Sequence, residues 1–474
     1  MRLQSPLLLV CTSLSSAFSV SLVQDPPNLL DIGSGGQEPL SAKFPRPVLH
    51  KPSETGTIYE QISSNPSFSR LTKALDFVED VASLLNNSSA QERIKDLNFD
   101  PVLTLFKDVK AAFDLLDNLE SLSSEEGKHD KWRKALKLIL RAILNYHIIP
   151  TAEYDTTDLG HNLTYPTNLV IGGVFDDEAL RLRVTQTYIP PATKINFFRR
   201  ISKPNVKATN GIIHVVDGPL FPPPSIFQEL YMFPRFFSTL TSALQRSGLT
   251  RNLDLRWVRG KGLKGTPLVT IFAPTNRAFE ALPRNLRSYL FSPFGERTLK
   301  KLLQYHIVPH TVLHSNYFHT SHGHKNTELA PCHGSIQVQG RPYSLILSPL
   351  AIFLGGQNAN KPPLEPIISI DFDLHSLLAN HTIHAHVAQN KINFPFPTKR
   401  PYIIDTRIYV NRQLVTEPDI VGLNGAIHVI DKLLDPRGHR QGHHHHGSFN
   451  EVNIEDDVWT GWESWLIEWA MQED

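Results

Sequence analysis

An internal repeat is the feature that most constrains how this chain can fold. Tyr146–Pro150 recurs as Tyr305–Pro309, and Asn210–Asp217 recurs as Asn424–Asp431, in the same order. The repeating unit is far longer than the roughly 20–50 residues of a solenoid repeat. The sequence therefore predicts two copies of one domain, joined near Pro222.

A third, weaker repeat lies upstream of these segments. Thr270–Phe279 matches Thr104–Phe113 at its Phe and Ala-Phe positions, but Ala273-Pro274-Thr275 is replaced by Lys-Asp-Val in the earlier copy. We therefore expect the first domain to carry only a remnant of this motif.

Each copy mixes helical and strand patterns. Apolar residues from Leu71 to Leu85 and from Trp132 to Ile143 fall near helical spacing. Ile212–Val216 and Arg407–Val410 are short and rich in β-branched residues, which is typical of strands. Thr275 or Asn276 is expected to be the N-cap of a helix. The fold class predicted is α+β, with helices packed on mostly antiparallel sheets.

These ordered motifs resemble the fasciclin domain family. The second copy has the Ala-Pro-Thr-Asn-x-Ala-Phe, Tyr-His and Asn-Gly-x-Ile-His-Val-Ile-Asp segments, whereas the first has the last two. The residues that carry the resemblance are Phe272, Ala273, Pro274, Thr275, Phe279, Tyr146, His147, Tyr305, His306, Asn210, Gly211, His214, Asp217, Asn424, Gly425, His428 and Asp431.

The resemblance implies tandem β-wedge domains with packed helices and a role in adhesion. Gly211 and Gly425 suit a turn with positive φ. The motif histidines could bind a metal or act in catalysis. Each has apolar neighbours, however, and we favour a structural role in which the ring satisfies a buried carbonyl group.

The predicted organisation has five parts. Residues 1–19 are a signal peptide, 20–54 a disordered leader, 55–222 and 225–436 the two fasciclin-like domains, and 437–474 a His-rich, then acidic, Trp-containing tail. The second domain is expected to hold an insertion between Tyr317 and roughly Asn380, because its last two motifs lie further apart.

The two ends of the chain favour secretion. Arg2 precedes a short apolar run, and Ala17 and Ser19 suit signal peptidase, with cleavage expected after Ser19. No later apolar run reaches the roughly 20 residues of a membrane helix, and the acidic C-terminus lacks the apolar tail of a lipid anchor. Sequons predict glycans at Asn86 or Asn87, Asn162 and Asn380.

Cysteine usage leaves Cys332 as the single cysteine after cleavage, since Cys11 lies in the predicted signal. An intramolecular disulfide is then impossible, so stability must come from packed cores. Cys332 can be buried and inert or can pair with another chain, and we favour the first.

Charge and motif content argue against several functions. The net charge is +1, which gives no electrostatic reason for nucleic acid or an anionic membrane as partner. Serine-hydrolase, zinc-protease, phosphate-loop and dinucleotide motifs are missing. We therefore predict a protein that is not an enzyme and that needs no cofactor or metal.

Two groups of histidines are candidate metal ligands. His384 and His386 lie on one face of a predicted strand, but no carboxylate is obvious nearby in the sequence. His443–His446 lies in Gly-rich sequence, where no scaffold fixes a geometry, so a solvated tail is favoured.

Glu417, Pro418, Asp419 and Ile420 are similar to a short acidic segment that supports integrin binding in animal members of the family. An exposed Asp419 carboxylate could engage a receptor-bound cation. The alternative, which we favour unless the source is an animal, is a local structural element.

The tail carries Trp462, Trp465, Leu466 and Trp469 at the spacing of one helical face. This helix either docks on a domain of the same chain or captures a partner groove, and docking is favoured.

The function predicted is a secreted or cell-surface protein that recognises an extracellular protein or a cell-wall or matrix glycan through exposed loops. Pro-rich loops and the domain lengths favour a fungal origin. The alternative is a secreted small-molecule or lipid-binding protein with a pocket in segment 341–400.

Overall fold

The computed structural model describes residues 56–87, 125–188, 191–258, 261–321, 324–328, 364–393, 402–437 and 458–472. Over these ranges the chain combines helices and sheets, which confirms the predicted α+β class. The predicted signal peptide and leader, the motif remnant at 104–113, Cys332 and the His443–His446 run lie outside the described residues.

The first half begins with short helices and a long one. They are α1 Ile58–Ser63, α2 Ser69–Phe77, α3 Glu79–Asn86 and α4 Glu125–Tyr146. Thr57 begins α1 with a capping box: its hydroxyl accepts from the amide of Glu60, and the Glu60 carboxylate accepts from the amide of Thr57. Val78 has non-helical backbone angles, so two helices carry the apolar spacing between Leu71 and Leu85.

An antiparallel sheet follows, whose strands pair in chain order: β1 Thr164–Val170, β2 Ala179–Tyr188, β3 Pro191–Ile195, β4 Arg199–Ala208 and β5 Gly211–Val216. Buried residues of β1 and β2, such as Leu169 and Leu182, pack with Tyr146 at the end of α4. This cluster forms the core of the first domain.

The second half opens with α5 Ile226–Met232 and α6 Pro234–Arg246, a small hairpin of β6 Leu255–Val258 and β7 Gly262–Gly265, and β8 Val269–Pro274. Three helices then precede a short strand: α7 Asn276–Glu280, α8 Arg284–Leu290, α9 Glu296–Tyr305 and β9 Ile307–Pro309. Thr275 caps α7 as predicted, since its hydroxyl accepts from the amide of Ala278 at 3.3 Å.

The remaining strands are β10 Thr311–His314, β11 Tyr317–Thr320, β12 His324–Glu328, β13 Leu364–His375, β14 Thr382–Asn393, β15 Tyr402–Val410, β16 Gln413–Leu414, β17 Glu417–Gly422 and β18 Gly425–Ile430. One sheet has the order β17-β18-β8-β9, in which β18 and β8 run parallel. Every residue of β8 and β18 is buried, as expected for strands covered on both faces.

The tail forms helix α10, Trp462–Met471, and docks on the second domain. Trp462, Leu466 and Ala470 are buried, and the first two join the cluster that α6, α8 and α9 form. The Lys301 ammonium also bonds to the carbonyl of Gln472 at 2.6 Å. Of the two roles weighed for this helix, the structure therefore shows docking on its own chain.

The two halves share an extensive interface. Val312 and Tyr317 of the second domain belong to the same buried cluster as Leu182 of the first. Thr164 donates to the Asn316 side chain at 2.6 Å, and Asn316 donates back to the Thr164 carbonyl at 2.9 Å. The link between the domains therefore includes both apolar packing and buried hydrogen bonds.

Candidate functional site

The Tyr-His motif builds the same contacts in each domain. The Nδ1 atoms of His147 and His306 lie 2.7 and 2.6 Å from the carbonyl four residues earlier in the helix. Their Nε2 atoms accept from the backbone amides of Leu220 and Leu434 at 2.9 and 3.0 Å. Both rings therefore tie the end of a helix to the chain that leaves the domain.

In the histidine of the Asn-Gly motif the two ring nitrogens exchange roles: Nε2 faces a carbonyl oxygen and Nδ1 faces a backbone amide. The Nε2 atoms of His214 and His428 each lie 2.8 Å from a carbonyl oxygen, while Nδ1 faces the backbone amide of Asn205 or Asp419 at 3.4 or 3.3 Å. Burial lowers the pKa of His428 to about 4. A neutral ring with both nitrogens engaged stabilises the fold and has no free base to offer a substrate.

The asparagine of this motif anchors the first helix of each domain. Asn424 Oδ1 accepts from the amide of Ile226 at 2.9 Å, and its Nδ2 donates to the carbonyls of Leu253 and Thr266. Asn210 makes the corresponding set of three bonds, with the amide of Ile58 at 2.8 Å. The glycines that follow have φ of 155° and 151°, which only glycine adopts easily.

A further matched pair escaped sequence analysis. Asn196 and Asn411 both have φ of 46° and both donate through Nδ2 to the motif tyrosine, at 2.9 Å to Tyr146 and 2.8 Å to Tyr305. They lie 14 and 13 positions before the repeated asparagines, so an alignment of the two halves on those motifs pairs them only if it includes a gap of one residue.

The matched contacts also show where the second domain is longer. The offset between equivalent residues is 159 positions at Thr156 and Ser315. Each of these two residues donates its backbone amide to the side chain of a strand residue that has positive φ and lies at a shift in the strand register, Asn205 in β4 or Asp419 in β17. It rises to 201 at Arg181 and Thr382, whose carbonyls accept from the motif tyrosines. Between His384 and Asn411 the offset increases again, and it is 215 positions between Asn196 and its equivalent Asn411. The extra length thus lies in two places, the second being the extended β14–β15 hairpin.

The possible adhesion segment, Glu417 to Ile420, takes an internal position. Asp419 is fully buried in β17, accepts from the amide and hydroxyl of Ser315, and lies 3.6 Å from His314. Burial would raise its pKa, but hydrogen bonds with His314 and Ser315 and the electrostatic interaction with the His314 ring lower it to about 2. The idea that an exposed Asp419 carboxylate engages a cation is therefore wrong.

The rest of that segment contacts the first domain. Arg183, whose side chain is almost fully buried, pairs with Glu417 and donates to the carbonyl of Pro418 at 3.1 Å. The guanidinium also lies 4.2 Å from the ring centre of Phe197. The segment thus belongs to the interface between the domains.

Candidate glycan sites lie at helix and turn positions. Asn86 ends α3, where its Oδ1 accepts from the Thr57 hydroxyl at 2.8 Å, and Asn87 follows it. Asn162 precedes β1, and Asn380 is exposed in the turn between β13 and β14 with φ of 58°. Their glycosylation stays a prediction.

Comparison with known proteins identifies the fold family. The fasciclin domain family model matches residues 66–222 and 235–346, which together make up more than half of the chain. The chain belongs to the fasciclin domain family. The resemblance read from the motifs is thereby confirmed.

Several fasciclin relatives were found. Rat stabilin-2 is 24% identical over 53% of this chain and 15% of its own length, and the aurofusarin biosynthesis cluster protein S of Gibberella zeae is 26% identical over 48% and 46%. A fasciclin-like arabinogalactan protein of Arthroderma benhamiae is 24% identical over 54% and 56%. The matches thus cover less than two thirds of each relative.

Among solved structures, a domain pair from the insect cell adhesion molecule fasciclin I matches 70% of this chain and 97% of its own length. The sequence identity is 16% and the TM-score is 0.25.

An exposed aromatic surface lies where the two domains meet, and sequence analysis did not find it. Phe198, Tyr231, Met232 and Phe236 are each more than half exposed. Phe198 comes from the β3–β4 turn of the first domain and stacks on Phe233 of the second, with ring centres 5.9 Å apart. We call these four exposed side chains the junction surface. Exposed apolar groups in such a cluster are typical of binding sites.

The described residues also include one cavity in the first domain. A cavity of about 360 Å³ lies in the first domain against β3 and β4, lined by residues such as Thr193 and Arg200. The predicted pocket in segment 341–400 falls partly outside the described residues and remains untested. Within the described ranges, no helix is both long and apolar enough to cross a membrane.

Proposed function

We propose that this chain is a secreted, non-enzymatic adhesion protein of the extracellular matrix or cell wall. Its two fasciclin domains would recognise one protein or glycan partner, with the junction surface as the contact. The proposal depends most on that surface, because residues of both domains contribute to it.

The motif residues support a binding role over a catalytic one. The rings of His147, His214, His306 and His428 each bond backbone groups through both nitrogens. A general base must instead reach a substrate proton. The signal-like residues 1–19 and the predicted sequons support a location outside the cell.

The packing of the two domains against each other supports the same proposal. The interface keeps Phe198 next to Phe233, so the four exposed side chains keep their relative positions before a partner arrives. A preorganised contact loses less conformational freedom on binding.

The test replaces the exposed apolar groups without touching the core. A variant with Phe198→Ser, Tyr231→Ser and Phe236→Ser is compared with Phe294→Ser, which removes an 85% exposed ring elsewhere. The measurement is saturable binding of purified chain to fractionated cell-wall and matrix extracts. We expect the triple variant to lose at least tenfold in affinity and the control to bind normally.

Equal binding by the triple variant and the unchanged chain would show that the junction surface does not contact the partner. Turnover of a glycan or peptide substrate that a point mutation abolishes would overturn the non-enzymatic role.

A further inference from the structure

Two histidine–aspartate pairs lie side by side on an exposed face of the β13–β14 hairpin. In the strand register, Asp371 is opposite His386 and Asp373 is opposite His384. Because alternate residues of a strand share a face, all four side chains project from the same side of the sheet. The sequence shows no carboxylate close to His384 and His386, and the neighbouring strand β13 supplies both.

The distances bring two rings to one carboxylate oxygen. Asp371 Oδ1 lies 2.7 Å from His386 Nδ1 and 3.3 Å from His384 Nε2. In a tetrahedral zinc site with bonds of about 2.0–2.2 Å, neighbouring ligand atoms are about 3.4 Å apart. The Asp371 oxygen thus lies within about 1 Å of the ligand spacing from each of the two ring nitrogens.

In the structure these groups bond to one another, so the described residues hold no preformed cage of three metal ligands. His384 and Asp371 are nevertheless accessible, with 52% and 63% of the side chain exposed, whereas His386 is 17% exposed. Rotation of the exposed His384 ring and of the Asp371 carboxylate can exchange a hydrogen bond for a metal bond, and water can fill the remaining position. The site would therefore be assembled when the ion binds.

The remaining aspartate has the position of a supporting group. Asp373 Oδ1 lies 3.1 Å from His384 Nδ1, the nitrogen on the opposite side of the ring from the one that faces Asp371. Metal-bound histidines usually donate their second N–H to a carboxylate, which fixes the ring and makes it a better ligand.

We propose that His384, His386 and Asp371 bind a divalent ion of the zinc and copper type, with Asp373 orienting His384. Imidazole and carboxylate together suit these ions, whereas magnesium and calcium prefer oxygen ligands alone. The inference does not depend on the adhesion role. It concerns the lengthened hairpin of the second domain, at a distance in sequence from the junction surface.

The experiment must separate this site from His443–His446, because that run can bind metal by itself. All variants are therefore made in the full chain with those four histidines changed to Ala. Isothermal titration with zinc chloride is expected to show one ion per chain in this background. The binding should disappear in His384→Ala/His386→Ala.

Graded variants test the assigned roles. We expect Asp371→Asn to weaken zinc binding at least tenfold, and Asp373→Asn by roughly 10–100-fold, the usual range for a supporting carboxylate. His375→Ala, which removes a histidine two cross-strand pairs beyond Asp373–His384, should leave the affinity unchanged. Thermal melts followed by circular dichroism establish that each variant is folded.

A second measurement uses the background chain with no change in the hairpin. Cobalt added to it should give the strong visible absorption of a tetrahedral ion, and zinc should displace it. The proposal fails if this chain binds no zinc or cobalt, or if the double-histidine variant binds as the background does.

Discussion

Replacing Asn424 by Ala tests the role of the repeated Asn-Gly motif. The side chain is fully buried and makes three hydrogen bonds to backbone groups of α5, the chain before β6 and the β7–β8 connection. A hydrogen bond contributes about 1 kcal/mol net, and a buried group left without its partner costs about 1–3 kcal/mol. We therefore expect the free energy of unfolding to fall by about 3–5 kcal/mol.

The assay is urea unfolding followed by tryptophan fluorescence, since five of the six tryptophans follow residue 250 and report on the second domain and tail. With a slope of roughly 2–3 kcal/mol/M, the midpoint should fall by roughly 1–2 M. Asn285→Ala, on the exposed face of α8, is the control and should change stability by less than about 0.5 kcal/mol. A loss below about 1 kcal/mol in Asn424→Ala would refute the reasoning.

Two other predictions concern the same core. Gly425→Ala should prevent folding of the second domain, because a Cβ would lie 1.7 Å from a carbonyl oxygen of β8. Gly248→Ala, with open space around it, should lower the free energy of unfolding by only about 1 kcal/mol. Equal thermal midpoints for the two variants would contradict this prediction. Burial lowers the pKa of His306 and of His428 to about 4, so the unfolded chain takes up their protons first and stability falls as pH drops from 6.5 towards 4. Burial raises the pKa of Glu229 to about 7, which acts in the opposite direction, and the net loss should be roughly 3 kcal/mol. A urea midpoint that does not change between pH 7 and pH 4.5 would count against it.

Local sequence signals predicted several individual elements. The β-branched run at Ile212–Val216 forms β5, Thr275 caps a helix, and the Trp spacing in the tail forms α10. Each of these depends on side-chain periodicity or on one capping group, which nearby residues determine.

Sites that depend on strand register could not be predicted in this way. Asp371 and His386 are 15 residues apart and meet only because β13 and β14 pair at that position. Likewise, Glu417 lies 234 positions from Arg183 and looks like an exposed acidic residue until the domains are placed together. Long-range pairing, and not local propensity, determines both contacts.

The central claim is that both domains keep one hydrogen-bonded network, and histidine tautomers test it most directly. A ring nitrogen that faces a carbonyl must carry the proton, and one that faces a backbone N–H must not. Nitrogen NMR of histidine-labelled protein at neutral pH, assigned with single His→Gln variants, should therefore show protonated Nδ1 in His147 and His306 and protonated Nε2 in His214 and His428. A different tautomer in either member of a pair would show that the two halves do not share the network.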